Sequence, residues 1–142
     1  MTVKIKTNYL DVRHRLKRRE KVAKKDIQSL IATATMDVRK TVVEGIQGPP
    51  KTGRTYTRRT VTHKASAPGE YPATDTGNLV SKISMIVQPF LGEVTSSAEY
   101  SKHLEYGTTY MQARPFMFPS LESNRRQIVQ KFKKAGLLRK TR

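Results

Sequence analysis

An α+β fold is predicted here: a long N-terminal helix and C-terminal helices packed on a small antiparallel β-sheet, with a long basic arm. Three features of the sequence predict it. Apolar residues recur at helical spacing from Leu16 to Val42 and again from Leu121 to Ala135. Between these runs, ISMIVQPFLGEVTSS alternates as strands do and contains its own turn signal. A segment rich in Pro, Gly, Thr and basic residues, 47–74, divides the first helix from everything after it. The 142 residues suit a single domain, 1–142, since a chain of roughly this length buries about 68–70 % of its unfolded surface.

In the first element, Leu16, Ala23, Ile27, Leu30, Ile31, Ala34, Val38 and Val42 fall three or four apart, on one face of a helix. Asn8 is a candidate cap for its start, Asp26 a second candidate beginning and Gly45 the candidate stop. The first half, VRHRLKRREKVAKK, is too charged to bury more than a narrow stripe and is expected to project beyond the body. From Gln47 to Thr74, GPP and APGEYP bracket TGRTYTRRTVTH, whose Thr, Tyr and Val residues favour extended structure, so a long loop or β-arm is expected.

Thr74 or Asp75 is placed to cap a short helical turn through GNLVSK. Ile83, Met85 and Val87 then alternate with Ser84 and Ile86, Pro89 to Gly92 reads as a turn, and GEVTSS returns, giving a hairpin over 83–97. Two strands alone are marginal in water. Either TYTRRTVTH adds a strand to this sheet or a neighbouring subunit completes it. After a compact joint, Leu121, Ile128, Val129, Phe132 and Ala135 trace the inner face of a final helix, Gly136 ends it, and the basic tail, 136–142, is expected to be loose.

Charge is the loudest compositional feature. Lys and Arg number 28 against 11 acids, a formal charge of +17. Residues 1–25, a basic extension or helix start, hold ten basic side chains against two acids, and residues 122–142 hold eight against one. Residues 47–68 add five basic side chains and no acid. The body is thus close to neutral, and its two ends and one arm carry the charge. A polyanion or an acidic protein surface is the natural partner of such appendages. The hydrophobic fraction of 36 % is low, which predicts that part of the chain lies outside the core or is ordered by partners.

Cysteine is absent, so disulfides and thiolate metal sites are excluded. The start, MTVKIKTNYLDVRHR, has no apolar run of signal-peptide length, and no stretch approaches 18 apolar residues, which predicts neither export by that route nor a membrane partner. Nucleophile elbow, phosphate loop, dinucleotide fingerprint and zinc-protease helix are all missing. His14, His63 and His103 lie in separate segments, and a surface or packing role for His103 outweighs a metal or general-base role with Glu99 or Glu105. The expectation is a protein that is not an enzyme, with no catalytic residue, metal or cofactor. Nucleic-acid binding has the charge without the readout motifs. Arg54, Arg58 and Arg59 interleave with Tyr56, a pattern suited to backbone contact with stacking and without sequence preference.

The joint is AEYSKHLEYGTTYMQARPFMFP. Ser96 and Glu99 have the spacing of a capping box, Tyr100 and Leu104 follow one turn apart, and Gly107 is read as the helix stop. Pro115 suits the first turn of the next helix, and Phe116, Met117 and Phe118 form an apolar plug, read as core before interface. Glu105 is a candidate to pair with Lys102 or Arg114, or with Arg114 across a subunit boundary.

LEYGT, a short polar connection and ARPFMFPSLE, preceded by SAPGEYPATDTGNLVSKI, together resemble the neck or tail-completion proteins of the head-to-tail junction of tailed bacteriophages. The resemblance covers roughly residues 26–135. It implies a virion structural protein, assembled in the host bacterial cytoplasm, whose six- or twelve-fold homo-oligomeric ring joins the portal-side connector or adaptor to the tail around the DNA channel. Arg54, Tyr56, Arg58, Arg59, Glu105, Tyr106, Arg114 and Phe116 are the candidate contacts with neighbouring subunits or partners, and Gly107 and Pro115 the structural turn. Genomic DNA in the channel is a further candidate contact. The long basic ends lie beyond the part that resembles the family. A small basic nucleic-acid-binding protein, of the kind associated with ribosomes, is the alternative reading.

Overall fold

The computed structural model describes residues 9–58 and 60–136, with side chains from Arg13 onward. A single helix, α1, runs Tyr9–Gln47. It is followed by β1 (Thr55–Arg58), β2 (Val61–Lys64), α2 (Asn78–Ser81), β3 (Ile83–Gln88), β4 (Leu91–Ser96), α3 (Ser101–Tyr106) and α4 (Met117–Lys134). The α+β class is as the sequence predicts. Asn8, Arg59 and the tail from Leu137 lie outside the described residues.

Helix α1 is the spine. Ala34, Thr35, Val38, Val42 and Ile46 are buried along one face, and the β3–β4 hairpin and α4 both pack there. Every described side chain from Arg13 to Asp26 is exposed, so about 20 Å of helix runs clear of the body. Gly45 is not the stop. The helix continues to Gln47, and Gly45 instead lets the Tyr71 ring lie against it, which a Cβ there would strike.

The β3–β4 pair is antiparallel, with Ile83 opposite Ser96, Met85 opposite Val94 and Val87 opposite Gly92. These positions share one face, and Ile83 is 3 % exposed. The turn is tighter than expected: Gln88 pairs with Leu91, so Pro89 and Phe90 alone make it and Gly92 belongs to the strand. Thr35 of α1 sits where a Gly92 Cβ would be, so the glycine permits the helix to cross the strand. TYTRRTVTH does not extend this sheet. It folds on itself as a separate pair, β1–β2, with Tyr56 opposite His63.

Three capping expectations fail for local reasons. Ser96 closes the strand ladder opposite Ile83, so α3 starts later, at Ser101, with Tyr100 rather than Ser96 at its cap. Neither Thr74 nor Asp75 caps α2, whose cap position is Gly77 at φ 74°. Pro115 stands outside α4, which has Phe116 at its cap and Pro119 in its first turn. The inner face of α4 also differs from the apolar run. Ser120 and Asn124 are the buried residues, whereas Leu121 and Val129 are 48 % and 37 % exposed. Asn124 Nδ2 donates to the Ser120 carbonyl of its own helix and to Thr41 Oγ1, both at 2.8 Å, and the second of these bonds ties α4 to α1.

Candidate assembly surface

The joint is built around one carboxylate. Glu105 Oε2 accepts the backbone N–H of Phe116 at 2.8 Å and of Met117 at 3.0 Å, and Oε1 accepts that of Phe118 at 3.0 Å. These donors belong to the first turn of α4, where no intrahelical acceptor is available and the helix dipole favours negative charge. Glu105 therefore caps α4 from α3. Of its expected partners, Arg114 instead donates through Nε to the Ser66 carbonyl at 3.0 Å and through Nη1 to that of Gln112 at 3.2 Å.

Gly107 makes the geometry possible. Its φ is 77°, and its N–H closes α3 on the His103 carbonyl at 2.9 Å. The chain then doubles back until Arg114 N–H meets the Leu104 carbonyl at 2.7 Å. This return delivers Phe116, 1 % exposed, into a core formed with Val42, Ile46, Leu79, Ile83 and Ala98. Met117 packs against that core, and Phe118 points away at 65 % exposure. The expected plug is thus divided between core and surface.

The arm is fastened to the joint at its base. Gly69 N–H donates to the Ala113 carbonyl at 2.9 Å, and the Tyr71 hydroxyl lies 3.0 Å from Ser120 Oγ. Glu70 gathers the two ends of the arm, accepting from the Ala67 N–H, the Thr52 N–H and the Thr52 hydroxyl. The Thr52 hydroxyl leads these hydrogen bonds in holding the Glu70 carboxyl below the ordinary 4.5. Farther out, Asp75 receives both Arg58 Nη1 at 3.1 Å and His63 Nδ1 at 3.0 Å, and Tyr56 stacks on His63. Arg54 is exposed beside this pair, and Arg59 lies outside the described residues.

The candidate contact residues thus fall into two groups, an arm set and a joint set, bridged by Arg114 to Ser66. The joint set borders an uncovered apolar groove of about 750 Å³ between α1, β4, α3 and α4, lined by Ile31, Val38, Val94, Leu121, Ile128 and Phe132, with Glu105, Tyr106, Phe116 and Phe118 also on its wall. A second apolar projection is the hairpin tip, where Phe90 is 66 % and Leu91 46 % exposed. Sequence periodicity finds the α4 members of the groove but reads them as covered, since period alone says which residues share a face and not whether anything lies on it.

Among the described residues, no group of three or more His, Asp or Glu is placed to hold a metal ion. His103 is exposed, and its expected partner Glu105 is taken by the α4 backbone. No described helix is long and apolar enough to cross a membrane. Comparison with protein-family models, curated proteins and solved structures finds no match to this chain.

Proposed function

We propose that this chain is a structural subunit that closes into a ring with copies of itself, and that the ring is the neck piece at the head-to-tail junction of a tailed bacteriophage. The observation that carries the assembly reading is the pairing of an open apolar groove with an apolar hairpin tip on one subunit. Two different patches that fit each other generate a heterologous contact, and such a contact closes into a ring when its rotation is suitable.

The phage assignment rests on the resemblance of LEYGT, ARPFMFPSLE and the preceding loop. In this chain those residues do architectural work: Glu105 caps, Gly107 turns and Phe116 fills the core. That supports a building element over a catalyst. In the ring, Tyr106, Phe118 and the arm residues Arg54 and Tyr56 are the exposed groups available to neighbouring copies, the connector and the tail.

Two single variants test the contact. Phe90→Asp spoils the tip and leaves the groove, whereas Leu121→Asp spoils the groove and leaves the tip; both side chains are exposed, so folding should survive. At about 0.5 M salt, where the repulsion between like-charged copies is screened, native mass measurement should show wild type as a closed oligomer of six or twelve copies and each variant alone as a monomer. An equimolar mixture of the two variants should give dimers joined through the one intact pair of patches. Variants that still form the wild-type oligomer would exclude this contact, and a monomeric wild type whose phage particles join heads to tails without it would exclude the neck.

A further inference from the structure

We infer that the exposed basic face of the first half of α1 is a binding surface for the phosphate backbone of double-stranded nucleic acid. The surface belongs to one subunit, so the inference stands apart from ring closure. At 3.6 residues per turn, Arg13, Lys17, Arg18, Lys21, Lys24 and Lys25 project within an arc of about 140° and over about 18 Å of helix. All six are exposed. The acids of this stretch are Glu20, held by Lys24 at 2.7 Å, and Asp26, which falls outside the arc.

Helix α4 adds to the same end of the molecule. Asn124 meets Thr41 and Lys131 meets Asp37, so the two helices run antiparallel, and the exposed Lys133 and Lys134 lie toward the projecting half of α1. Like charges three and four residues apart disfavour a helix on its own. A regular polyanion laid along the face reverses that repulsion.

The chemistry separates nucleic acid from other polyanions. Protein interfaces are anchored by buried aromatic and apolar side chains, and none interrupts this arc. A membrane-surface helix needs a broad apolar face with aromatic anchors, whereas from Arg13 to Leu30 there is no Phe, Tyr or Trp, and the apolar stripe is narrow, Leu16, Ala23, Ile27 and Leu30, with Val22 apart from it. A duplex presents a dense, repeating row of phosphates, and its major groove admits a helix. Four of the six cations are lysines, compact charges without the planar fork that reads guanine, so binding should be indifferent to sequence. The arm is the weaker candidate, because Arg58 is engaged by Asp75 and Tyr56 by His63.

The test is fluorescence anisotropy of random-sequence 20-base-pair DNA with the full chain between 50 and 200 mM salt. Six neutralised phosphates predict a log–log slope near about −5 and a loss of about a thousandfold across that range. Arg13→Gln, Lys17→Gln, Lys21→Gln and Lys25→Gln combined should weaken binding by about a hundredfold or more and reduce the slope by about 4, with helix content by circular dichroism retained. Arg54→Gln with Lys64→Gln, in the arm, should change affinity less than threefold. The inference is overturned if the α1 variant keeps wild-type affinity and slope, if the arm variant carries the loss, or if polyglutamate or phosphatidylserine vesicles bind as tightly as the duplex. Tight binding by a monomer upholds it while removing the ring.

Discussion

Replacing Glu105 by Ala should unfold the joint from its second helix. The substitution strands three backbone donors at the start of α4. Loss of a good cap alone costs roughly 0.5–2 kcal/mol, and the lost charge at a helix N-terminus adds about 0.3–1 kcal/mol. The Phe118 N–H is exposed and recovers water, whereas Phe116 is 1 % exposed and its donor does not. Together these give about 2–3 kcal/mol, a fall in melting temperature of about 6–12 °C for a domain of this size. Glu105→Gln keeps one acceptor oxygen and loses the charge, so it should cost about 1 kcal/mol and about 3–4 °C. Calorimetric melting of wild type and both variants is the assay, with amide exchange at Phe116 and Met117 reporting the site. A Glu105→Ala variant melting within a degree of wild type would refute the cap. A Glu105→Gln variant melting with wild type would show that negative charge at the α4 terminus contributes nothing, whereas equal losses from Ala and Gln would assign the whole effect to the charge.

Gly107→Val should lower stability by at least about 1–2 kcal/mol through its positive φ, and by more because its Cβ meets the Met111 carbonyl oxygen at 2.8 Å and the Ala113 nitrogen at 2.9 Å; thermal melting checks it. Gly92→Ala should cost about 1–3 kcal/mol by driving β4 off α1, and Thr35→Ala, which removes the obstructing hydroxyl, should recover part of that loss in the double variant. Because the folded-state pKa of Glu70 lies below the ordinary 4.5, its grip on the arm is complete above that value and is lost as pH falls through the lowered one. Protection of the Thr52 and Ala67 amides, taken relative to their intrinsic exchange at each pH, should therefore fall in acid, and Glu70→Gln should speed tryptic cutting at Arg54 and Arg58 at neutral pH.

Helical period and turn chemistry made the order of elements legible. The long apolar repeat from Leu16 to Val42 gives α1, alternation from Ile83 gives the hairpin, and Gly107 gives the end of α3. Caps were the least legible part, because Ser, Thr and Asp near a helix start have other partners available. Asp75 is taken by Arg58 and His63, and Ser96 belongs to a ladder. The central role of Glu105 was hidden for a related reason. Its donors lie eleven to thirteen residues away in sequence, across a turn whose path only tertiary structure defines. The groove was half visible, since Leu121, Ile128 and Phe132 announce an apolar face, but the hydrogen-bonded Asn124 contact, which holds α4 beside that face rather than on it, has no sequence period.

The two proposed contacts should respond to salt in opposite directions, which gives a last test of how they are combined. Each copy carries a formal charge of +17, so ring closure brings strongly like-charged subunits together. The tip and groove contact is apolar and is not weakened by added salt. Screening shortens the reach of the repulsion from about 10 Å at 0.1 M salt to about 3 Å at 1 M. Without nucleic acid, the oligomeric fraction should therefore rise with sodium chloride. At low salt, duplex DNA along α1 would neutralise the same charges, so oligomers should form there only when DNA is present. Binding to DNA itself must fall as salt rises, because each neutralised phosphate releases counterions. Sedimentation at 0.05 and 0.5 M salt, with and without a 20-base-pair duplex, separates the cases. If the DNA-free oligomer dissociates as salt rises, ionic contacts hold the copies together, and the apolar tip and groove are not the seam of the ring.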